Sequence, residues 1–374
     1  MIPMVDLKGQ YKKIRKQINA EFTAVLDAAA FINGPVVVEF QRNFEHYLGV
    51  KHVIPCANGT DSLQIAMMAL GLKPGDEVIV PTFTYVATAE VIALLGLTPV
   101  MTDVDINTYN ITPKIIEKAI TPRTKAIVPV HLFGQSCDME GIMAIAKKHN
   151  LFVIEDNAQA IGADYKFSDG RIAKTGTIGH IGSTSFFPSK NLGCYGDGGA
   201  IMTNDDELAV KMRMIANHGQ PARYLHDVVG VNSRLDALQA AVLKVKLPCL
   251  DKYAKARQRV ASAYDKAFKN IEGLMIPKRS RNSSHVFHQY TLRVKDGRRE
   301  ALQKHLESRG VSCMIYYPIP LYKQKAFSAY WNGKELPATE ILCNEVLSLP
   351  IHTEMSRETL NFIIQQVQDF FRVS

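Results

Sequence analysis

Phe152-Val153-Ile154-Glu155-Asp156-Asn157-Ala158-Gln159 is a short apolar run that ends in two carboxylates. It reads as a strand of a buried sheet, with Glu155 and Asp156 on opposite faces because side chains alternate along a strand. Outward from it, short apolar runs alternate with amphipathic stretches from about residue 53 to residue 204. The runs fall at 53–55, 77–81, 99–104, 126–130, 184–187 and 200–203, and the amphipathic stretches at 61–70, 87–95, 113–119 and 139–149. Strands and helices alternating at this spacing predict an α/β fold with a mostly parallel central sheet covered on both faces. Ligands of such sheets gather at the carboxyl ends of strands, which is where Asp156 stands.

The flanks are built differently. Residues 10–30 and 36–48 have helical periodicity and are joined through Asn33-Gly34-Pro35. A long helical region is expected from 234 to about 268, interrupted near Pro248. Beyond it lies a smaller α+β part, with strands expected at 289–294 and 312–316 and helices at 298–309, 338–345 and 355–371. This reading divides the chain into a large domain, 1–250, and a small carboxyl-terminal domain, 251–374.

Composition narrows the function. Of 374 residues, 47% are hydrophobic and 21% charged, which excludes a disordered chain. No apolar run approaches the roughly 18–20 residues of a membrane helix, and residues 1–20 lack the apolar stretch of a secretory signal. The six cysteines form no C-x-x-C pair and read as reduced thiols, so a cytoplasmic protein is expected. The net charge of +8 is spread over helix faces. It makes no concentrated basic stripe for nucleic acid, but it favours an anionic small substrate.

Four constellations carry chemistry. Cys56-Ala57-Asn58-Gly59-Thr60-Asp61-Ser62 follows a strand and opens a helix, whose free N–H groups suit a phosphate; capping by Thr60 or Asp61 is the plainer reading. Asp156 is either a solvated carboxylate at a strand end or a group that holds a proton on a heterocyclic nitrogen. A metal is disfavoured there, because no His or second acidic cluster has ligand spacing nearby. In Thr184-Ser185-Phe186-Phe187-Pro188-Ser189-Lys190-Asn191-Leu192-Gly193 a strand ends in a Pro-Ser-Lys turn, followed by Gly196-Asp197-Gly198-Gly199. A lysine desolvated there becomes a nucleophile suited to Schiff-base chemistry. The glycines precede a strand, so they are not a dinucleotide fingerprint, and there is no P-loop. In Gly230-Val231-Asn232-Ser233-Arg234-Leu235-Asp236, Asn232 is either a helix N-cap or, with Arg234, a contact to phosphate or carboxylate. An anion-binding helix start, a strand-end Asp and a nucleophilic Lys together are what pyridoxal 5'-phosphate (PLP) requires.

On these motifs the chain resembles the DegT/DnrJ/EryC1/StrS family of fold-type-I, PLP-dependent nucleotide-sugar aminotransferases. The resemblance extends over Phe83-Thr84-Tyr85-Val86-Ala87-Thr88, Pro129-Val130-His131-Leu132-Phe133-Gly134-Gln135 and Tyr317-Pro318-Ile319-Pro320-Leu321. Within the family it is most similar to enzymes that aminate a 3-keto UDP-N-acetylglucosaminuronate for surface polysaccharide such as lipopolysaccharide O-antigen. The resemblance implies that Lys190 is the Schiff-base and proton-shuttling lysine and that Asp156 partners the pyridine nitrogen. It implies that Gln159 contacts the ring hydroxyl, that Tyr85 covers the ring, and that Gly59, Thr60 and Ser185 hold the phosphate. Asn232 is expected to reach the cofactor phosphate of the neighbouring subunit in a homodimer with shared sites. Arg234, Tyr316 and Tyr317 are expected to face the sugar nucleotide, with Tyr316 standing where related enzymes often carry His. L-Glutamate is the expected amino donor.

Other readings are a 4-keto or dTDP-linked 3-keto sugar acceptor, and a non-catalytic regulator that binds PLP or a sugar nucleotide. A dehydratase of this fold is disfavoured because those relatives replace the lysine with histidine, and a regulator because both Lys190 and Asp156 are present.

Overall fold

The computed structural model describes residues 1–331 and 333–373; the last residue of the expected small domain, Ser374, lies outside the described residues. Helices α1 (Leu7–Ala28) and α2 (Pro35–Leu48) open the chain. Asp6 caps α1 by accepting from the Gly9 amide, and Pro35 starts α2, where a missing N–H costs nothing. There follow β1 (His52–Cys56), α3 (Gly59–Ala69), β2 (Glu77–Pro81), α4 (Ala87–Leu94), β3 (Thr98–Thr102), α5 (Pro113–Ala119), β4 (Thr124–Ile127), α6 (Met139–His149) and β5 (Phe152–Asp156). A hairpin of β6 (Asp164–Lys166) and β7 (Ile172–Lys174) precedes β8 (Ile181–Ser185), β9 (Gly199–Thr203) and α7 (Asp206–Ala216). Then come α8 (Ala237–Lys246), α9 (Leu250–Phe268), β10 (Leu274–Met275), β11 (Tyr290–Val294), α10 (Arg299–Ser308), α11 (Pro337–Glu345), β12 (Val346–Leu349) and α12 (Arg357–Val373).

Seven strands form one sheet in the order β1-β9-β8-β5-β4-β2-β3. Strand β9 is antiparallel to both of its neighbours and the remaining pairs are parallel, so the sheet is the mostly parallel one expected. Alternation along the strands builds a core on each face. Ile54, Val78, Val80, Ile154 and Ile201 pack with α3, α4 and α7. Val53, Ala200 and Met202 pack with α1, α2 and α8, while Ile79, Ile127 and Val153 pack with α5 and α6. A third core joins α9, α10 and α12 to the antiparallel sheet β10-β11-β12. Ile2 packs against it and bridges to Val311.

Three expectations are corrected. Residues 312–316 form no strand; Met314 makes a single bridge to Ser348, and Pro318 and Pro320 then turn the chain away without donors for a ladder. The run expected at 184–187 is displaced, because β8 ends at Ser185 and leaves Phe187 to Lys190 in the following loop. The long helix begins at Ala237 with Asp236 in the cap position, so Asn232 is not its N-cap. Its interruption at Pro248 is a single 3-10 turn, as the missing N–H dictates.

Phe186 anchors the start of the Lys190 loop. It is fully buried, with its ring edge-on to Phe40 at 5.6 Å and to Phe44 at 5.7 Å. Phe186→Ala removes a core aromatic and is expected to cost about 3–5 kcal/mol, read as a lower urea midpoint at unchanged slope.

Candidate active site

Five loops leave the sheet at the carboxyl ends of parallel strands: 57–58 after β1, leading into the first turn of α3, 82–86 after β2, 128–138 after β4, 157–163 after β5 and 186–198 after β8. The first carries the anion site. Asn58, not Thr60 or Asp61, caps α3, its side chain accepting from the Asp61 amide at 2.8 Å. The amides of Gly59 and Thr60 have no partner among the described residues and remain free at the positive end of the helix. Gly59 lies so close to Ser185 that a Cβ on it would stand 2.7 Å from that side chain's Cβ. A glycine is therefore required, and the Ser185 hydroxyl faces the same turn. Ser233 ties this turn to residue 232, its Oγ accepting from the Ala57 amide at 3.0 Å.

Lys190 and Asp156 form the reactive pair. Burial lowers the Lys190 pKa to about 8, opposed only in part by the charge of Asp156. Asp156 is itself buried; one oxygen accepts from the Ala158 amide at 3.1 Å and the other from the Thr88 hydroxyl at 2.7 Å. Each oxygen keeps a lone pair for a further donor. Glu155, on the other face as expected, takes no part in the cleft. It accepts from His131 Nε2 at 2.8 Å and from the amides of Gly176, Ile178 and Gly179. His131 Nδ1 accepts from the Cys137 amide, so Nε2 carries the proton.

Gln159 accepts from the Phe133 amide at 2.8 Å and donates to the Tyr317 hydroxyl at 3.0 Å. Burial raises the Tyr317 pKa, so the phenol is protonated and can donate onward. The Tyr317 ring lies 6.0 Å from Phe83, 6.0 Å from Tyr316 and 6.5 Å from Tyr85. Tyr85 is 58% exposed, a flat aromatic surface at the mouth of the cleft. Arg234 is half-buried with no ion pair or hydrogen bond among the described residues, and Asn232 is exposed.

The structure thus joins Lys190, Asp156, Gln159, Tyr85, Tyr316 and Tyr317 in one cleft and Gly59, Thr60 and Ser185 in one cup. No contact among the described residues brings the side chain of Asn232 or Arg234 into either set. Sequence reasoning assigned no role to Thr88 or to the His131–Glu155 pair. The sequence carries both inside quoted motifs, but no local spacing relates Thr88 to a residue 68 positions away. The cup, the desolvated lysine and the half-satisfied carboxylate fit a phosphorylated pyridine aldehyde such as PLP: two free amides and a hydroxyl for its phosphate, an amine for its carbonyl, an acceptor for its ring N–H.

A model of the DegT/DnrJ/EryC1/StrS aminotransferase family matches residues 12–368. The chain is 48% identical to UDP-2-acetamido-2-deoxy-3-oxo-D-glucuronate aminotransferase of Pseudomonas aeruginosa, over 97% of this chain and 98% of that protein. It is 46% identical to UDP-N-acetyl-3-dehydro-alpha-D-glucosamine 3-aminotransferase of Acidithiobacillus ferrooxidans, over 96% and 95%. Among solved structures, that of NtdA from Bacillus subtilis with bound cofactor PMP superimposes with a TM-score of 0.89 at 32% identity, over 96% of this chain and 82% of that one.

Only the neutral amine attacks a carbonyl, so the pKa of Lys190 sets a testable profile. Capture of a small aromatic aldehyde by cofactor-free protein should rise with pH through about 8 and then level. Lys190→Ala should abolish that phase; a rate still climbing towards the range of an ordinary lysine contradicts the desolvated site.

Proposed function

The chain belongs to the DegT/DnrJ/EryC1/StrS aminotransferase family and is a transaminase, and from that premise we propose that it uses PLP to move the amino group of L-glutamate onto a nucleotide sugar. The acceptor we propose is the 3-keto form of UDP-N-acetylglucosaminuronate, an intermediate for surface polysaccharide. The observation that carries the chemistry is the desolvated Lys190 beside a buried, half-satisfied Asp156. The 48% identity to the Pseudomonas aeruginosa enzyme supports the sugar.

PLP, when bound, supplies an electron sink that lets a carbon next to nitrogen lose and regain a proton. The chain's residues do the rest. The Gly59 and Thr60 amides and the Ser185 hydroxyl bind the phosphate. Asp156 accepts the ring N–H and balances its charge. Gln159, whose Nε2 has a second hydrogen beyond the one given to Tyr317, donates to the ring hydroxyl. Tyr85 covers the exposed ring face and keeps water from it. Lys190 Nζ would take the proton from the donor's α-carbon and, in the second half of the reaction, deliver one to the sugar carbon that receives the nitrogen. Arg234, with its charge unmatched among the described residues, would bind an anionic group of the sugar nucleotide, and Tyr316 and Tyr317 would line the sugar.

We read the functional unit as a homodimer. Tyr224, Leu225 and Val229 are exposed on the loop before Asn232, an apolar surface suited to burial against a second copy. We also read residues 1–250 as the cofactor domain and 251–374 as the smaller one. Leu250 packs in the core of α1, α2 and α8, whereas Val260 onward packs in the third core.

Purified protein with glutamate and a panel of keto sugar nucleotides tests the acceptor. Amination of the UDP-linked 3-keto glucuronate is expected, and a preference for a 4-keto or dTDP-linked sugar overturns it. Lys190→Arg keeps the charge but cannot serve as nucleophile or shuttle, so amination should fall by at least about a hundredfold. Shared sites predict that Lys190→Ala mixed with an Asn232→Ala/Arg234→Ala variant regains activity once subunits exchange. Exchange without any recovery overturns the shared site.

A further inference from the structure

The carboxylate of Asp156 is held by two donors of different kinds. Ala158 N–H comes from two residues further along the chain, in the loop that follows β5, so this bond is local. The Thr88 hydroxyl comes from the first turn of α4, on the far side of the Tyr85 loop, and reaches Oδ2 at 2.7 Å. Thr88 is 1% exposed and its hydroxyl donates to no other group. A buried carboxylate without water needs such donors, and bonds to an ionised acceptor are the stronger kind. Threonine is also a weaker helix former than alanine, so the hydroxyl, not helix propensity, is what Thr88 contributes here. The Tyr85 loop and the orientation of Asp156 are therefore linked through one short segment of chain.

We propose that Thr88 is a positioning residue for transamination: its hydroxyl pins Oδ2 of Asp156 to the first turn of α4, so that the carboxylate presents its free lone pair to the cofactor's ring nitrogen. This rests on the assignment of Asp156 made above.

A mutant cycle tests it. Thr88→Val keeps the shape and removes the hydroxyl, whereas Thr88→Ser restores it. Cofactor affinity, measured by fluorescence titration of cofactor-free protein with PLP, should weaken by about tenfold in the valine variant. The rate of the glutamate half-reaction should fall by a similar factor, with the glutamate KM within about twofold of wild type. The serine variant should recover most of both. In the Asp156→Asn background the valine change should add less than about twofold, because a residue acting through Asp156 has nothing left to position. Equal losses in both backgrounds, or no loss in the valine variant while Asp156→Asn is disabled, overturn the proposal and leave Asp156 its role. If Asp156→Asn itself matches wild type, the assignment of Asp156 fails and the proposal falls with it.

Discussion

A single buried carboxylate, Glu155, fixes where everything in the cleft stands. A charge fully removed from water costs several kcal/mol unless donors replace its hydration shell. Glu155 meets that demand with four donors from two other segments, the His131 ring and the 176–179 loop. Those bonds clamp the loops after β4 and before β8 onto β5. The backbone continues the clamp, with Asp156 N–H donating to Pro129 and His131 N–H donating to Asp156. The side chain of Asp156 thus projects from a backbone that is held on both sides before any ligand arrives. Removing His131 or Glu155 alone would leave a buried polar group without its partner, the costly way to break such a pair.

On that base the cleft divides its labour between rigid and accessible parts. The cup at Gly59 and Ser185 is tight and the Asp156–Thr88 contact is buried, as a site must be to act without reorganising. Tyr85 stands at the exposed rim. Lys190 belongs to both regimes, because its loop is anchored at Phe186 while its amine is held away from bulk water in the cleft. The loop is held again by Asn191, which donates to the Val286 carbonyl, and by the buried Lys246, which donates to the Gly193 carbonyl at 2.7 Å.

Much of this was legible in the sequence. Alternating apolar runs located the parallel sheet because buried strands need continuous apolar character. The run into Asp156 placed the carboxylate because the strand end is also the ligand end. What stayed hidden depended on contacts between distant segments. Strand β12 is held by its ladder to β11 and carries no turn signal of its own, and residues 312–316 have strand composition but only the one bridge to β12 at Met314 among the described residues. Helix α7 was passed over although Asp205 caps it and Asp206 and Glu207 occupy its first turn, a signal that was available. The Asn58 cap could not be told from capping by Thr60 or Asp61 without backbone angles, and Thr88 could not be connected to Asp156 by any local rule.

The bridge between Ile2 and Val311 has a bearing on how the molecule comes into being. Ile2 N–H donates to Gly310, Ser312 N–H to Ile2, and Ile351 N–H to Met4. During translation, residues 1–4 therefore emerge more than 300 positions ahead of the groups that will hold them. The apolar side chain of Ile2 cannot reach this place until residues 310–312 have been made. Its docking therefore follows the emergence of residues 310–312, a late latch between the first residues and the small carboxyl-terminal part.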